Sequence, residues 1–427
     1  MPKAPRRLWP PERRVFVRPT IRGWQAIFFG ALSLVAALLV GTTQIYQLGY
    51  AFAGLLLASL VLGLLLSRGL RHTRRISEGE RLMAGCPSRV EVVVSNVSRT
   101  SSPGVEIVDH LPERRVFQTP PLRGSEAREV RESVLFAKRG FYEIGPAEIQ
   151  TTDPFGLLRF VRRFKVRTEV VVYPEVFELA GFSPRGRKGE TGARGSFAWQ
   201  GEEFSGLREY RRGDDRRHIH WKSVARTGEL IVREFAHNAP QRHAVVLDLY
   251  RAGIGLPETE VEDAVSAAGS ILSHLTRESL PLRLLCTDKE RGATAFGADE
   301  ATYWRAMGLL AAARADGDVQ PGDFLDQKLR EEREELGDGV ILISRSLGDG
   351  LAESVEKLRS AGLSAVVVAV ATHTYRTGGA TSRREATFLE YVRRLELAGS
   401  DVRVVRHPGG VAAFAGVRRT AKTGRAV

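Results

Sequence analysis

Cysteine is almost absent from this chain: Cys86 and Cys286 are the two in 427 residues. A pair so far apart builds no disulfide framework, and no paired Cys motif offers a structural zinc site. No glycine-rich phosphate loop or dinucleotide fingerprint follows a strand-like run. No serine or cysteine has an evident base and orienter to make it a nucleophile. Charge vanishes altogether between Gly23 and Ser67, an interval of 45 positions. Lysine is scarce too, with 9 against 54 arginines.

Basic charge is plentiful, at a net +13, but it is not gathered on a folded module. Residues 1–22 carry +6, residues 68–75 carry +4, residues 181–200 carry +3 and residues 418–427 carry +4. These flanks hold more than the whole excess, so the rest of the chain is slightly acidic. A nucleic-acid binder concentrates its charge on a recognisable module, and that class of partner is set aside.

The uncharged interval is long enough for two apolar helices, near Trp24–Val40 and Leu48–Leu66, since one crossing takes about 20 residues. The polar turn between them, Thr42–Gln47, has no charge. A cleaved signal peptide has a single, shorter apolar core. Arginines flank both ends of the pair, and positive flanks stay cytoplasmic. The expectation is a membrane hairpin with both termini and the large domain in the cytoplasm.

The expected fold class is multidomain: a transmembrane hairpin, a small β-sandwich and a C-terminal doubly wound α/β domain. The boundaries read as a basic N-terminus at 1–22, the hairpin at 23–67, the sandwich at 68–175 and a linker at 176–200. A charged segment at 201–240, the α/β domain at 241–410 and a basic tail at 411–427 follow. Short alternating runs such as Arg89–Val94 and Glu129–Phe136 carry the sandwich. Asp153-Pro154-Phe155-Gly156 reads as a turn with an aromatic plug. From His243 onward, continuous apolar runs such as Val340–Ile343 alternate with amphipathic helices, the pattern of a parallel sheet covered on both faces.

Residues 201–226 read GEEFSGLREYRRGDDRRHIHWKSVAR, with seven basic and five acidic side chains around Phe204, Tyr210 and Trp221. Three uses of such a block stay open. It can be an ion-pair network under a fold, with Asp214 or Asp215 capping a helix over Arg217–Arg226 and Trp221 and Ala225 on one face. It can be a docking surface, because Trp, Tyr and Arg dominate interface hot spots. It can also be a metal-dependent hydrolase centre built on Asp214, Asp215, His218 and His220.

Gly201-x-Glu203-Phe204, Leu207-Arg208-x-Tyr210, Gly213-Asp214, Arg217-x-Ile219-x-Trp221 and Ala225-Arg226 together resemble the signature of the bacterial domain of unknown function 58 family. The run Arg139–Phe160 resembles a segment seen upstream of it. The resemblance implies a C-terminal domain like a von Willebrand factor A domain, whose cation site begins with Asp-x-Ser-x-Ser. Here only Asp248 of that motif is present, and Ser344-Arg345-Ser346 lacks the later Asp, so neither a metal nor another cofactor is expected. The resemblance further implies a non-enzymatic adaptor. Its partner is a MoxR-type AAA+ ATPase, with a transglutaminase-like membrane protein as a second, and its process is the assembly or maturation of other proteins. Its interaction core is Glu203, Phe204, Leu207, Arg208, Tyr210, Gly213, Asp214, Asp215, Arg217, Ile219, Trp221, Ala225 and Arg226. Relatives often carry Asp where this chain has His220.

Overall fold

The computed structural model describes residues 15–76, 81–111, 113–164, 167–184, 203–210, 219–236, 241–251, 258–375 and 381–415. The chain divides into two compact units, with the boundary after Glu175.

The first unit starts with strand β1 (Val15–Pro19), followed by helices α1 (Ile21–Val40) and α2 (Thr43–Ser67). At 1.5 Å per residue, 20 and 25 residues span about 30 and 37 Å, enough to cross the apolar part of a bilayer. Every buried residue of the two helices is small: Gly23, Ala26, Gly30 and Ala37 on α1, and Gly49, Ser59, Gly63 and Ser67 on α2. Trp24, Phe28, Leu38, Leu39 and Leu57 face outward. A soluble helical hairpin does the reverse, and small residues let helices approach closely where lipid supplies the apolar surroundings. The turn is shorter than the sequence implied. Gly41 adopts a left-handed conformation (φ 74°) and ends α1, Thr42 precedes α2, and Thr43, Gln44 and Gln47 lie within α2.

Ten strands follow: β2 (Leu70–Ile76), β3 (Leu82–Met83), β4 (Pro87–Asn96), β5 (Val105–Leu111), β6 (Glu113–Thr119), β7 (Ala127–Leu135), β8 (Gly140–Ile144), β9 (Ala147–Thr152), β10 (Leu158–Phe164) and β11 (Thr168–Tyr173). They form sheets in the orders β1-β10-β9-β5-β6, β2-β4-β7 and β3-β11-β8. One core collects side chains from all three, among them Val92 and Val94, Ile107 and Leu111, and Val170 and Val172.

Three expectations for this unit are corrected. Residues 15–19 are not part of a separate basic terminus, because β1 pairs antiparallel with β10. Residues 70–76 lie in the expected sandwich at 68–175, but their charge, counted above with the basic flanks, sits on a folded strand, because β2 pairs along its whole length with β4. Phe155 is not a plug: it is 45 % exposed. The organising residue of that turn is buried Asp153, whose carboxylate accepts from the N–H groups of Phe155 (2.8 Å) and Leu158 (2.5 Å).

The same turn seats the hairpin. Thr20 donates through its N–H to the Leu157 carbonyl (2.8 Å) and through Oγ1 to that of Gly156 (2.6 Å), and its Oγ1 caps α1 by accepting from Gly23 N–H (3.1 Å). Ala26, Leu157, Leu158 and Phe160 then pack with Phe52, Leu56 and Leu60 of α2.

In the second unit, residues 176–182 are anchored rather than a linker. Phe177, Leu179 and Phe182 are buried, Phe177 N–H donates to Ser270 Oγ (2.9 Å), and Phe182 meets the ring of His274 edge-on. Next come β12 (Glu203–Glu209), α3 (Trp221–Thr227) and β13 (Ile231–Ala236). The α/β region comprises β14 (His243–Leu247), α4 (Glu258–Arg277), β15 (Leu282–Cys286), α5 (Glu300–Ala312), α6 (Pro321–Glu331) and β16 (Gly339–Ser344). It continues with α7 (Asp349–Ser360), β17 (Ser364–Val370), α8 (Thr381–Leu397), β18 (Asp401–Val405) and α9 (Gly410–Ala415).

Its five strands are all parallel in the order β15-β14-β16-β17-β18. Helices α6, α7 and α8 pack on one face, through Phe324, Leu325, Leu351, Val355, Leu358 and Leu395. Helix α4 lies against β14, β15 and β16, with α5 and α9 beside it. Val411 of α9 is buried, so the structured region runs past the expected boundary at 410.

Candidate functional site

The signature block folds as a two-stranded hairpin with a helix inserted in its connection. β12 and β13 pair antiparallel from Glu203↔Ala236 to Glu209↔Ile231, with a register shift between Phe204 and Gly206. Ile219 bridges to Val232, and both are buried. His220 N–H donates to the Ile231 carbonyl (2.8 Å), and Tyr210 N–H to that of Leu230 (2.8 Å). Gly228, left-handed at φ 74°, ends α3 and returns the chain to β13.

Glu203, Phe204, Leu207 and Arg208 are thus placed along β12, and Tyr210 lies half-buried just beyond it. Gly213, Asp214, Asp215, Arg217 and His218 lie outside the described residues. Trp221, Ala225 and Arg226 stand on α3. The helix begins at Trp221, four residues later than the sequence implied, and the N-cap position belongs to His220 rather than to Asp214 or Asp215. His220 Nδ1 meets Ser223 Oγ at 2.7 Å, which ties the imidazole to the first turn of the helix. Trp221 and Ala225 do share a face, but that face is open: Ala225 is exposed and Trp221 is 65 % exposed. An indole in that position contributes no core packing to the fold.

A second centre lies at the crest of the parallel sheet, where the strand order reverses between β14 and β16. Open α/β sheets place their ligand crevices there. Asp248 follows β14 and is fully buried. Its Oδ2 accepts from Ser344 Oγ (3.1 Å), Arg345 N–H (3.0 Å) and Ser346 N–H (2.9 Å). Its Oδ1 accepts from Tyr250 N–H (2.9 Å). A carboxylate offers about four acceptor positions, and protein donors occupy that many here. Asp248 therefore clamps the loop after β16 to the end of β14.

Arg345 reaches the other way, its Nε 3.1 Å from Oε1 of Glu260, with both side chains buried. Glu260 lies in the first turn of α4, where the helix dipole favours negative charge. Among the described residues, no three His, Cys, Asp or Glu side chains are grouped so as to share a metal ion. Sequence reasoning singled out Asp248 but missed Arg345 and Glu260 as a buried pair. They are 85 positions apart, and no local spacing announces their meeting.

Comparison with known proteins matches residues 206–294 to the family described as "Protein of unknown function DUF58". The match runs from β12 through α3, β13, β14 and α4 to just beyond β15. A curated relative, "Uncharacterized protein YeaD" of Bacillus subtilis (strain 168), is 24 % identical over 202 residues, covering 47 % of this chain and 47 % of that protein. The chain thus spans about half the length of the curated relative it matches. Among solved structures, the CARDB domain of PF1109 from Pyrococcus furiosus is 15 % identical over 24 % of this chain and 94 % of its own, at a TM-score of 0.19. A GH20 exo β-N-acetylglucosaminidase from Vibrio harveyi is 9 % identical over 79 % and 82 %, at 0.18. Likenesses that weak carry no conclusion about fold or function.

Proposed function

We propose that this chain, which carries the DUF58 segment at residues 206–294, is a membrane-anchored cytoplasmic adaptor whose signature hairpin docks a partner protein. The partner implied by the family resemblance is a MoxR-type AAA+ ATPase, and the work served is the assembly or maturation of other proteins, with a transglutaminase-like membrane protein as a second partner. The adaptor performs no chemistry of its own. Its α/β region plays the part of a von Willebrand factor A-like module, with Asp248 clamping a loop in place of holding a cation.

The observation that carries the reading is Trp221, 65 % exposed on α3 beside exposed Lys222, Ala225 and Arg226. A large amphipathic ring next to cations on a helix is the composition of an interface anchor. Two outward-facing apolar helices joined to the β domain supply the membrane half of the reading.

In-cell crosslinking of the full chain, followed by purification, tests it. Wild type is expected to recover the ATPase, and Trp221→Ala to lose most of it, since truncating a hot-spot residue costs about 2 kcal/mol or more, roughly thirtyfold in affinity. The same variant should keep its thermal stability to within about 0.5 kcal/mol, because an exposed side chain is removed. Equal recovery of the ATPase by both proteins would remove α3 as the docking surface.

A further inference from the structure

At the crest of the parallel sheet a crevice of about 580 Å³ opens between the loops that follow β14, β16 and β17 and the start of α8. Among the described residues its lining includes Arg345, His373, Arg383 and Arg384 and contains no carboxylate.

Two of these groups are buried with polar atoms unmatched. Arg345 is 4 % exposed and spends Nε on Glu260, while its Nη1 makes no hydrogen bond among the described residues. His373 is 7 % exposed, and its Nε2 likewise lacks a partner there. Buried polar atoms without partners each cost about 1–3 kcal/mol, so a pair lining one crevice calls for a polar partner inside it, and the Arg345 guanidinium, which can only donate, calls for an acceptor. Burial pushes the His373 imidazole pKa down, more than the neighbouring Glu385 raises it, so at neutral pH the ring offers a hydrogen bond rather than a charge.

The helix ends repeat the demand. Helix α8 has no acidic residue in its first turn and instead carries Arg383 and Arg384 there, cations at the positive end of a dipole, which is unfavourable by itself. Neither has a carboxylate partner among the described residues. Helix α7 starts from Gly348, another lining residue, with no side-chain cap on its first N–H groups. An anion in the crevice would satisfy both helix ends at once. Leu347, Val370 and Tyr391 line the remainder, a surface suited to an organic group rather than to a bare ion.

We propose that this crevice binds a small organic phosphate, its phosphoryl group held by Arg345, Arg383 and Arg384 and its organic part laid against Leu347, Val370 and Tyr391. Guanidinium forks match phosphoryl oxygens geometrically as well as in charge. The site belongs to the α/β region alone and stands or falls separately from docking at α3.

Calorimetric titration of the full chain in maltoside micelles tests it, with phenyl phosphate, inorganic phosphate and benzoate as probes. Phenyl phosphate is expected to bind at one equivalent and more tightly than either of the others. Arg383→Gln and Arg384→Gln should each weaken it about tenfold, the loss of one charge-assisted hydrogen bond. Both side chains are exposed, so circular dichroism should not change. Arg345→Lys keeps the charge beside Glu260 but removes the fork, and should weaken phenyl phosphate as well. Absence of saturable binding, or binding unchanged in the Arg383→Gln/Arg384→Gln double variant, would overturn the proposal. Benzoate binding as tightly as phenyl phosphate would overturn the phosphate assignment in favour of carboxylates.

Discussion

Arg74 shows how a single side chain can mislead a reading of charge. It belongs to a basic run after the apolar interval, yet it turns inward from β2 and forms a two-pronged ion pair with Asp109 of β5, both of them buried. Its Nη1 also donates to the Ile144 carbonyl at 3.0 Å. Burial alone would push the Asp109 carboxyl pKa up, but His72 and Arg74 beside it more than reverse that and hold it below the ordinary value. His72 Nε2 stands 3.6 Å from Oδ2, beyond normal hydrogen-bond length, so Arg74 is the partner that fixes the carboxylate. Breaking a buried pair strands the surviving ion, so Asp109→Asn should cost about 3–5 kcal/mol in thermal or denaturant unfolding. Replacing both, as Arg74→Met with Asp109→Leu, should recover much of that. The sign with pH follows from the lowered folded pKa. The stabilisation is complete above the unfolded value of about 3.9 and is lost as pH falls through the folded one. An acid-unfolding curve whose midpoint is unmoved by Asp109→Asn would contradict this account. Asp248 makes a different case, because the family resemblance singled it out while its use in the fold was not legible. With its oxygens already taken by Ser344, Arg345, Ser346 and Tyr250, dialysed protein should retain no stoichiometric Mg²⁺ or Ca²⁺ by elemental analysis, and one tightly held equivalent would contradict the clamp.

At the level of elements, legibility followed the hydrophobic pattern. β14, β16 and β17 are continuous apolar runs buried on both faces, and the sequence showed all three. α4 is one of the amphipathic helices that the alternation after His243 implies. Strands β1, β2, β6 and β10 were missed, because arginines punctuate them and a strand with charge on its open side resembles a flank or a loop. β2 hides further, since His72 and Arg74 occupy positions where alternation expects apolar residues. The hairpin was legible as apolar length, but its seat was not, because that depends on a turn more than a hundred residues away. A methyl group at Gly23 would run into the Leu157 carbonyl, whereas Gly54 on α2 has open space around it. Gly23→Ala should therefore cost about 1–3 kcal/mol, as overpacking against backbone does. Gly54→Ala should cost nothing, and its helix propensity favours it by up to about 1 kcal/mol. Thermal unfolding in micelles separates the two, and equal stabilities would mean that the Thr20–Leu157 seat does not hold the hairpin.

For the whole molecule, the consequential finding is that both ends of the hairpin enter the same β domain. β1 leads into α1 and pairs with β10, and β2 leaves α2 and pairs with β4. A bilayer crossed by both helices must then have those strands on one side and the Gly41–Thr42 turn on the other. The proposed cytoplasmic placement of that shared side rests on the arginines at residues 18, 22, 68, 71, 74 and 75 under the positive-inside rule, although Arg74, being buried in its ion pair, serves the fold as well. Labelling of intact cells decides the point. In a Cys86→Ser, Cys286→Ala background, a cysteine introduced by Thr42→Cys should react with a membrane-impermeant maleimide added outside. One introduced by Arg114→Cys, on an exposed stretch of β6, should react only after the cells are opened. Labelling of the second but not the first before lysis would invert the orientation and place α3 where no cytoplasmic ATPase could reach it. Labelling of both before lysis would mean that the hairpin does not cross, and that its outward-facing leucines are covered by something other than lipid.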